Sequence, residues 1–268
     1  MPVVTSLKFP RQWATLNVLL LAPIFLVFTG CQSQSSGEPT RPEIIVAAAA
    51  NLTEAAGDIG RRFTEKTGVR LIFSFGATAD LAKQIENGAP FDVYVAADVT
   101  HVDRLQQQGL LTSDSRAVYA RGRLVVWVPA GSKFRVQRVE DITAKEFERI
   151  TIAKPDIAPY GQAAVDSLVA LGVWEQIQPR VIYAQNAAQA KQFAATGNAE
   201  AAFIPLSLVK TGEGTYLEID NHLHRPIDQA LAIVKSSSNQ SAARQFVEFL
   251  LSEEGQEILA SRGYGRAK

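Results

Sequence analysis

Two stretches of this chain repeat one local design: an apolar, strand-like run passes through a short loop of small or polar residues straight into a helix. The first is Ile44-Ile-Val-Ala-Ala-Ala-Ala-Asn51-Leu-Thr53 and the second is Phe73-Ser-Phe-Gly-Ala-Thr78-Ala-Asp-Leu81. Strands that feed directly into helices belong to α/β layers, because the helix carries the chain back across the sheet to begin a neighbouring parallel strand. Such junctions also suit anions. The first N–H groups of a helix have no intrahelical acceptor and carry a partial positive charge, so the loop presents aimed donors without any Lys or Arg.

The alternation continues along the chain. Residues 44–48 read as a strand buried on both faces. Asn51 is a suitable N-cap, after which Leu52, Ala55, Ala56, Ile59 and Phe63 recur at helical spacing up to Gly68. A strand over 69–75 is followed by a helix capped by Thr78 or Asp80, a strand over 91–97, and a helix capped by Asp98 that stops at Gly109. A second set opens with a strand over 124–128. Residues 150–153 then run into Lys154-Pro-Asp-Ile-Ala-Pro-Tyr160-Gly161, a proline-stiffened loop before a helix over 162–171. The strand over 181–184 meets Gln185-Asn186-Ala187, where Asn186 caps a helix reaching Gly197. Strands over 201–204 and 227–234 and an amphipathic helix from Ala243 to Leu259 close the chain.

Four strand-to-helix junctions, two in each half, predict an α/β protein of two lobes with mostly parallel sheets and a ligand cleft between the lobes. Lobe 1 is expected over 43–122, lobe 2 over 123–225, and residues 226–268 return to complete lobe 1.

Ahead of the fold, Lys8 and Arg11 precede an apolar run from Val18 to Phe28, then Thr29-Gly30-Cys31, the layout of an export signal. The run is short for a membrane span. Phe28-Thr29-Gly30-Cys31 resembles the lipobox of bacterial lipoproteins, with Phe28 where Leu is usual. Residues 1–31 are therefore expected to be a lipoprotein signal with Cys31 acylated, and residues 32–42, rich in Ser and Pro, a flexible tether. That places the protein outside the cytoplasm, anchored to a membrane. Cys31 is the single cysteine, so no intramolecular disulfide is possible.

Basic and acidic residues balance at 27 each, and the signal carries only basic ones. A near-neutral chain without a basic cluster argues against nucleic acid as partner. A bound anion would be held by local geometry rather than by an overall field. Enzymatic signatures are missing: no Gly-x-Ser-x-Gly elbow, phosphate loop or His-Glu-x-x-His helix occurs. Of the three histidines, His101, His222 and His224, the last two form a His-Leu-His pair near Asp220 that reads as an exposed turn rather than a metal site. The chain is expected not to be an enzyme, an envelope hydrolase being the remote alternative. Neither a cofactor nor a directly ligated cation is expected.

Four segments, Ala47-Ala-Ala-Ala-Asn51-Leu-Thr-Glu-Ala55, the run from Ser74 to Val93, Pro155-Asp-Ile-Ala-Pro-Tyr160-Gly161 and Gln185-Asn186-Ala187, resemble in order the ligand loops of one family. That family is the periplasmic molybdate-binding proteins of ABC transporters, which are type II solute-binding proteins, and the resemblance extends over residues 43–268. Its most distinctive piece is Gln84-Ile-Glu-Asn-Gly-Ala-Pro90-Phe-Asp92. The resemblance implies a monomer whose two lobes close on a tetrahedral dianion, molybdate or tungstate, and deliver it to an ABC permease. Carried over by position, Ala50 and Asn51 supply backbone and side-chain donors and Thr78 a hydroxyl and an amide. From the other lobe Tyr160 gives a hydroxyl or amide and Ala187 an amide, with Asn186 beside it. Thr78 stands where Ser is common in the family. Pro205 stands where some members have a Tyr donor, a role the resemblance gives to Tyr160.

The residue types fit that ligand independently. Molybdate, tungstate and sulfate are unprotonated near neutral pH, so their oxygens only accept, and wholly neutral donors match them. Monohydrogen phosphate keeps a proton and calls for a carboxylate; Asp80, Asp98 and Asp156 near the loops read as caps or surface charges. At the level of sequence, sulfate, phosphonate and ferric iron remain alternatives, although iron favours several converging Tyr, His or carboxylate ligands and the loops offer one Tyr. An organic solute would call for an Arg clamp or aromatic platform, and an adhesion or scaffold module for no polar convergence at all.

Overall fold

The computed structural model describes residues 42–266. The expected signal with Cys31, and the tether apart from Pro42, lie outside them.

In chain order the elements are β1 (Glu43–Ala49), α1 (Thr53–Thr67), β2 (Arg70–Gly76), α2 (Thr78–Glu86), β3 (Val93–Val95), α3 (Thr100–Gln107) and β4 (Ala117–Gly122). There follow β5 (Leu124–Pro129), β6 (Ile150–Ala153), α4 (Pro159–Ala170), α5 (Trp174–Ile177), β7 (Val181–Ala184), α6 (Ala187–Ala195), β8 (Ala201–Pro205) and β9 (Gly214–Glu218). The chain ends with β10 (Ile227–Ile233), α7 (Gln240–Leu251) and α8 (Glu253–Ser261).

The strands form two five-stranded sheets, ordered β2-β1-β3-β10-β4 and β7-β6-β8-β5-β9. Strands linked through helices are parallel: β1 pairs with β2 and β3, and β6 with β7 and β8. The sequence predicts mostly parallel sheets, but both are mixed, because β10 runs against β3 and β4, and β5 against β8 and β9. The physical reason lies in the crossings. The chain passes from one sheet to the other through Arg123 alone and returns between β9 and β10 across one short 3-10 turn (Asn221–Leu223), with no α-helix to reverse it. The two crossings run side by side as an antiparallel ribbon, with Ile227 opposite Gly122 and the Ile219 N–H donating to the Leu124 carbonyl at 2.9 Å.

Both faces of the first sheet are covered, which explains its near-continuous apolar strands. On one face Ile44, Val46, Val93 and Ile233 pack with Ile59 and Phe63 of α1 and with Phe246 and Phe249 of α7. On the other, Tyr94, Ala230 and Ala232 meet Leu81 and Ile85 of α2 and Val102 and Leu105 of α3. The second sheet is covered in the same way by α4 on Leu124, Val126 and Ile152 and by α6 on Val125, Ala202 and Ile204.

Some local expectations are revised. The strand expected over 91–97 pairs only at Val93–Val95. The single C-terminal helix is broken at Ser252, whose hydroxyl donates to the Phe249 carbonyl at 2.7 Å and accepts from the Gly255 N–H. A Cβ at Gly255 would lie 2.3 Å from the Phe249 carbonyl oxygen, so only glycine permits this tight turn between α7 and α8.

Candidate functional site

β1, β2, β6 and β7 all end at the gap between the sheets, and the helical turn after each opens there. The six residues expected to face a ligand, Ala50, Asn51, Thr78, Tyr160, Asn186 and Ala187, line one cavity with an empty volume of about 230 Å³. No residue of its lining is charged.

After β2, Ala77 is extended and Thr78 opens α2 as its first helical residue, so neither Thr78 nor Asp80 acts as the expected cap. The Thr78 hydroxyl oxygen accepts from the Ala97 N–H at 3.1 Å, which fixes the side chain and leaves its hydrogen to be donated elsewhere. After β1, residues Ala50–Leu52 form a 3-10 turn and α1 starts at Thr53. Asn51 is buried and does not cap α1 with its side chain. Its Nδ2 donates to Gln229 Oε1 at 2.8 Å and to the Tyr264 hydroxyl oxygen at 2.9 Å. Its carbonyl accepts from the hydroxyls of Ser207 at 2.9 Å and Tyr264 at 2.8 Å. The side-chain donor expected from Asn51 is therefore engaged within the protein, and its junction offers backbone N–H groups.

Before α4, Pro159 fits the first helical position, where no N–H is needed. A Cβ at Gly161 would lie 2.0 Å from the Ala153 carbonyl oxygen, so glycine lets the first turn of α4 press against the end of β6. Tyr160 is 3% exposed, and its hydroxyl accepts from Gln229 Nε2 at 2.8 Å. Burial pushes the Tyr160, Tyr119 and Tyr264 hydroxyls well above the usual tyrosine range, so all three are neutral donors at neutral pH. Before α6, Asn186 is the N-cap the sequence predicts: its Oδ1 accepts from the Gln189 N–H at 3.0 Å, placing Ala187 first in the helix.

The backbone N–H groups of Thr78, Tyr160 and Ala187 thus stand in the first turns of three helices, where no intrahelical acceptor exists. The two lobes also touch directly, since the Ala79 N–H at the start of α2 donates to the carbonyl of Ile157, in the loop before α4, at 3.1 Å. A small, uncharged space with donors arriving from both lobes is suited to a small, acceptor-only anion.

A larger cleft, with about 1020 Å³ of empty space, adjoins it and shares Ala97, Ala158 and Pro159. Asp98, Asp156, Asp166 and Asp228 line it together with His101 and Arg225. Asp98 accepts from the His101 N–H at 3.0 Å and lies 2.7 Å from His101 Nδ1. Its size is greater, but its carboxylates oppose an anion. His224 Nδ1 lies 2.8 Å from the Arg225 carbonyl, and among the described residues no group of three or more His, Cys, Asp and Glu is placed to hold a metal ion.

Sequence reasoning missed Gln229, Tyr119, Tyr264 and Ser207, which hold Asn51 and Tyr160 from behind. A glutamine at a buried position of β10, beside the apolar run from Ala230 to Ile233, was a usable signal for the first. The others carry none, because their role depends on contacts up to 213 residues away in the chain.

Comparison with known proteins agrees with the fold. The family model described as bacterial extracellular solute-binding protein matches residues 44–265. The molybdate-binding protein ModA of Rhodobacter capsulatus is 36% identical over 224 residues, covering 83% of this chain and 88% of that protein. That of Azotobacter vinelandii is 38% identical over 227 residues, covering 83% and 90%. Among solved structures, the Azotobacter vinelandii periplasmic molybdate-binding protein matches with a TM-score of 0.80 at 27% identity, covering 85% of this chain and all of that one.

Proposed function

The chain belongs to the bacterial extracellular solute-binding proteins, and on that premise we propose that it captures molybdate, and tungstate with it, outside the cytoplasmic membrane and delivers it to an ABC permease. The observation that carries this reading is the convergence of four helix-opening junctions, from two sheets, on one small cavity without a charged residue. Thr78 offers a hydroxyl and an amide, Tyr160 and Ala187 offer amides, and the turn at Ala50 and Asn51 adds backbone donors. Asn186 sets the direction of Ala187.

Binding works by closure. The antiparallel ribbon joining the sheets is the hinge, and the anion contacts both lobes only when they are together, so it raises the population of the form a permease recognises. No bond is made or broken, and the reading assigns no enzymatic activity and no cofactor. Acylation of Cys31 would hold the protein, as a monomer, to the membrane that carries its permease. Among the described residues, no helix is long and apolar enough to cross a membrane.

The test is the melting temperature of the purified chain alone and with molybdate, tungstate, sulfate, phosphate or ferric citrate. A ligand at a hundredfold its dissociation constant adds about 2.7 kcal/mol of stability. Upward shifts with molybdate and tungstate, and none with sulfate, phosphate or ferric citrate, are expected. No shift with any oxyanion overturns the reading.

A further inference from the structure

Gln229 is fully buried in β10, at the place where the pairing of β10 with β4 slips in register. Irregularities of this kind re-aim a side chain out of the regular ladder. A buried amide is tolerated only when its polar atoms are paired, and here both ends are. Gln229 Oε1 accepts from Asn51 Nδ2 at 2.8 Å and from the Tyr119 hydroxyl at 2.7 Å, while Nε2 donates to the Tyr160 hydroxyl oxygen at 2.8 Å. Asn51 and Tyr119 belong to the first sheet and its loops. Tyr160 belongs to α4, which packs on the second.

Two further features show that this contact is built. A Cβ at Gly122, in the crossing ribbon, would lie 2.2 Å from the Tyr160 hydroxyl oxygen and 2.8 Å from Gln229 Nε2, so a glycine keeps the meeting point open. Asn51 Oδ1 is buried without a partner among the described residues. The orientation of the Asn51 side chain is therefore imposed through its nitrogen alone, by Gln229 and Tyr264.

We propose that Gln229 is a positioning residue that couples the two halves of the oxyanion site, a proposal that rests on the oxyanion reading above. One amide group holds the Asn51 junction of the first lobe and the Tyr160 junction of the second in fixed relation. Separating the lobes breaks the Gln229–Tyr160 bond, and remaking it on closure returns the Tyr160 backbone N–H to its place in the cavity. Gln229 acts on the anion through these two residues.

A double-mutant cycle on the full chain tests this, with Gln229→Met, Tyr160→Phe and the double variant titrated with molybdate by calorimetry. Each single substitution should raise Kd about tenfold. The double should be no weaker than the worse single, because both remove the same bond. A product of the two effects, about a hundredfold, overturns the coupling, as does an unchanged Kd in Gln229→Met. A merely structural role would lower the melting temperature of the ligand-free chain while leaving the two effects on Kd independent. If Gln229→Met does not fold, Gln229→Asn replaces it: its shorter amide cannot reach both partners, and the same non-additivity with Tyr160→Phe is required. If the wild-type chain binds neither molybdate, tungstate nor sulfate, the functional reading fails while the coupling stays measurable. Small-angle scattering of the ligand-free chain must then give a larger radius of gyration for Gln229→Met than for wild type, and equal radii overturn it.

Discussion

Two cavities lie side by side between the sheets, sharing a wall of Ala97, Ala158 and Pro159. The larger, about 1020 Å³, is lined by Asp98, Asp156, Asp166 and Asp228 against His101 and Arg225. The smaller, about 230 Å³, is lined by alanines, a glycine, a proline and the openings of three helices. Room is not affinity. A roomy, charged cleft retains water, in which unit charges 4 Å apart interact by only about 1 kcal/mol, against about 4 kcal/mol at the lower effective dielectric near a protein. Amide and hydroxyl donors fixed in a tight neutral space gain from that lower dielectric without bringing a carboxylate near the dianion.

The sharpest way to break the contrast is to give the small cavity a charge. Thr78→Asp should weaken molybdate binding by several kcal/mol, since like charges in a desolvated site cost that much; calorimetry that finds binding retained would place the ligand elsewhere. Thr78→Ala removes a donor without adding charge and should cost about 1–3 kcal/mol of binding, and Asn51→Ala, which undoes the contacts to Gln229 and Tyr264, a similar amount. Unchanged titration affinities in both would remove these residues from the site. In the larger cleft, Asp98→Asn and Asp156→Asn should change the affinity by less than about 1 kcal/mol, as faster association at low ionic strength that disappears near 1 M salt. Smallest of all is Glu54→Gln. The Glu54–Lys210 pair, at 2.8 Å, links α1 to the loop before β9, but the lysine side chain is 47% exposed. Screened by solvent, it should contribute under about 1 kcal/mol to thermal stability.

The junctions were legible in the sequence because each is a local pattern, an apolar run, small residues and a helix start. That is enough to bring Ala50, Thr78 and Ala187 to one place once the strands pair. Asn51 shows where local reading ends. By propensity it is a cap, yet its side chain serves Gln229 and Tyr264, contacts 178 and 213 residues away that no window along the chain contains. The mixed sheets escaped for a related reason: β5 and β10 read as strands, but their direction against β8 and β3 is set by the crossings between the sheets, and the edge strands β4 and β9 carry weak patterns. The turn at Ser252 depends on the close backbone approach at Gly255, which spacing alone does not reveal.

On the proposed reading, a neutral site holds a fully ionised tetrahedral anion. The buried tyrosines behind it titrate above their ordinary value of 10.0, so nothing in or behind the cavity changes charge between about pH 6 and 9. Because their folded-state values are raised, the stability they contribute is fully present below that ordinary value and is lost only as pH climbs above it. Calorimetric titration of molybdate across this range, in buffers of different ionisation enthalpy, therefore tests the claim directly. One site, a Kd independent of pH and no net proton exchange are expected. Uptake of a proton on binding, with affinity rising towards acid, would show that a carboxylate or histidine takes part and would contradict that reading.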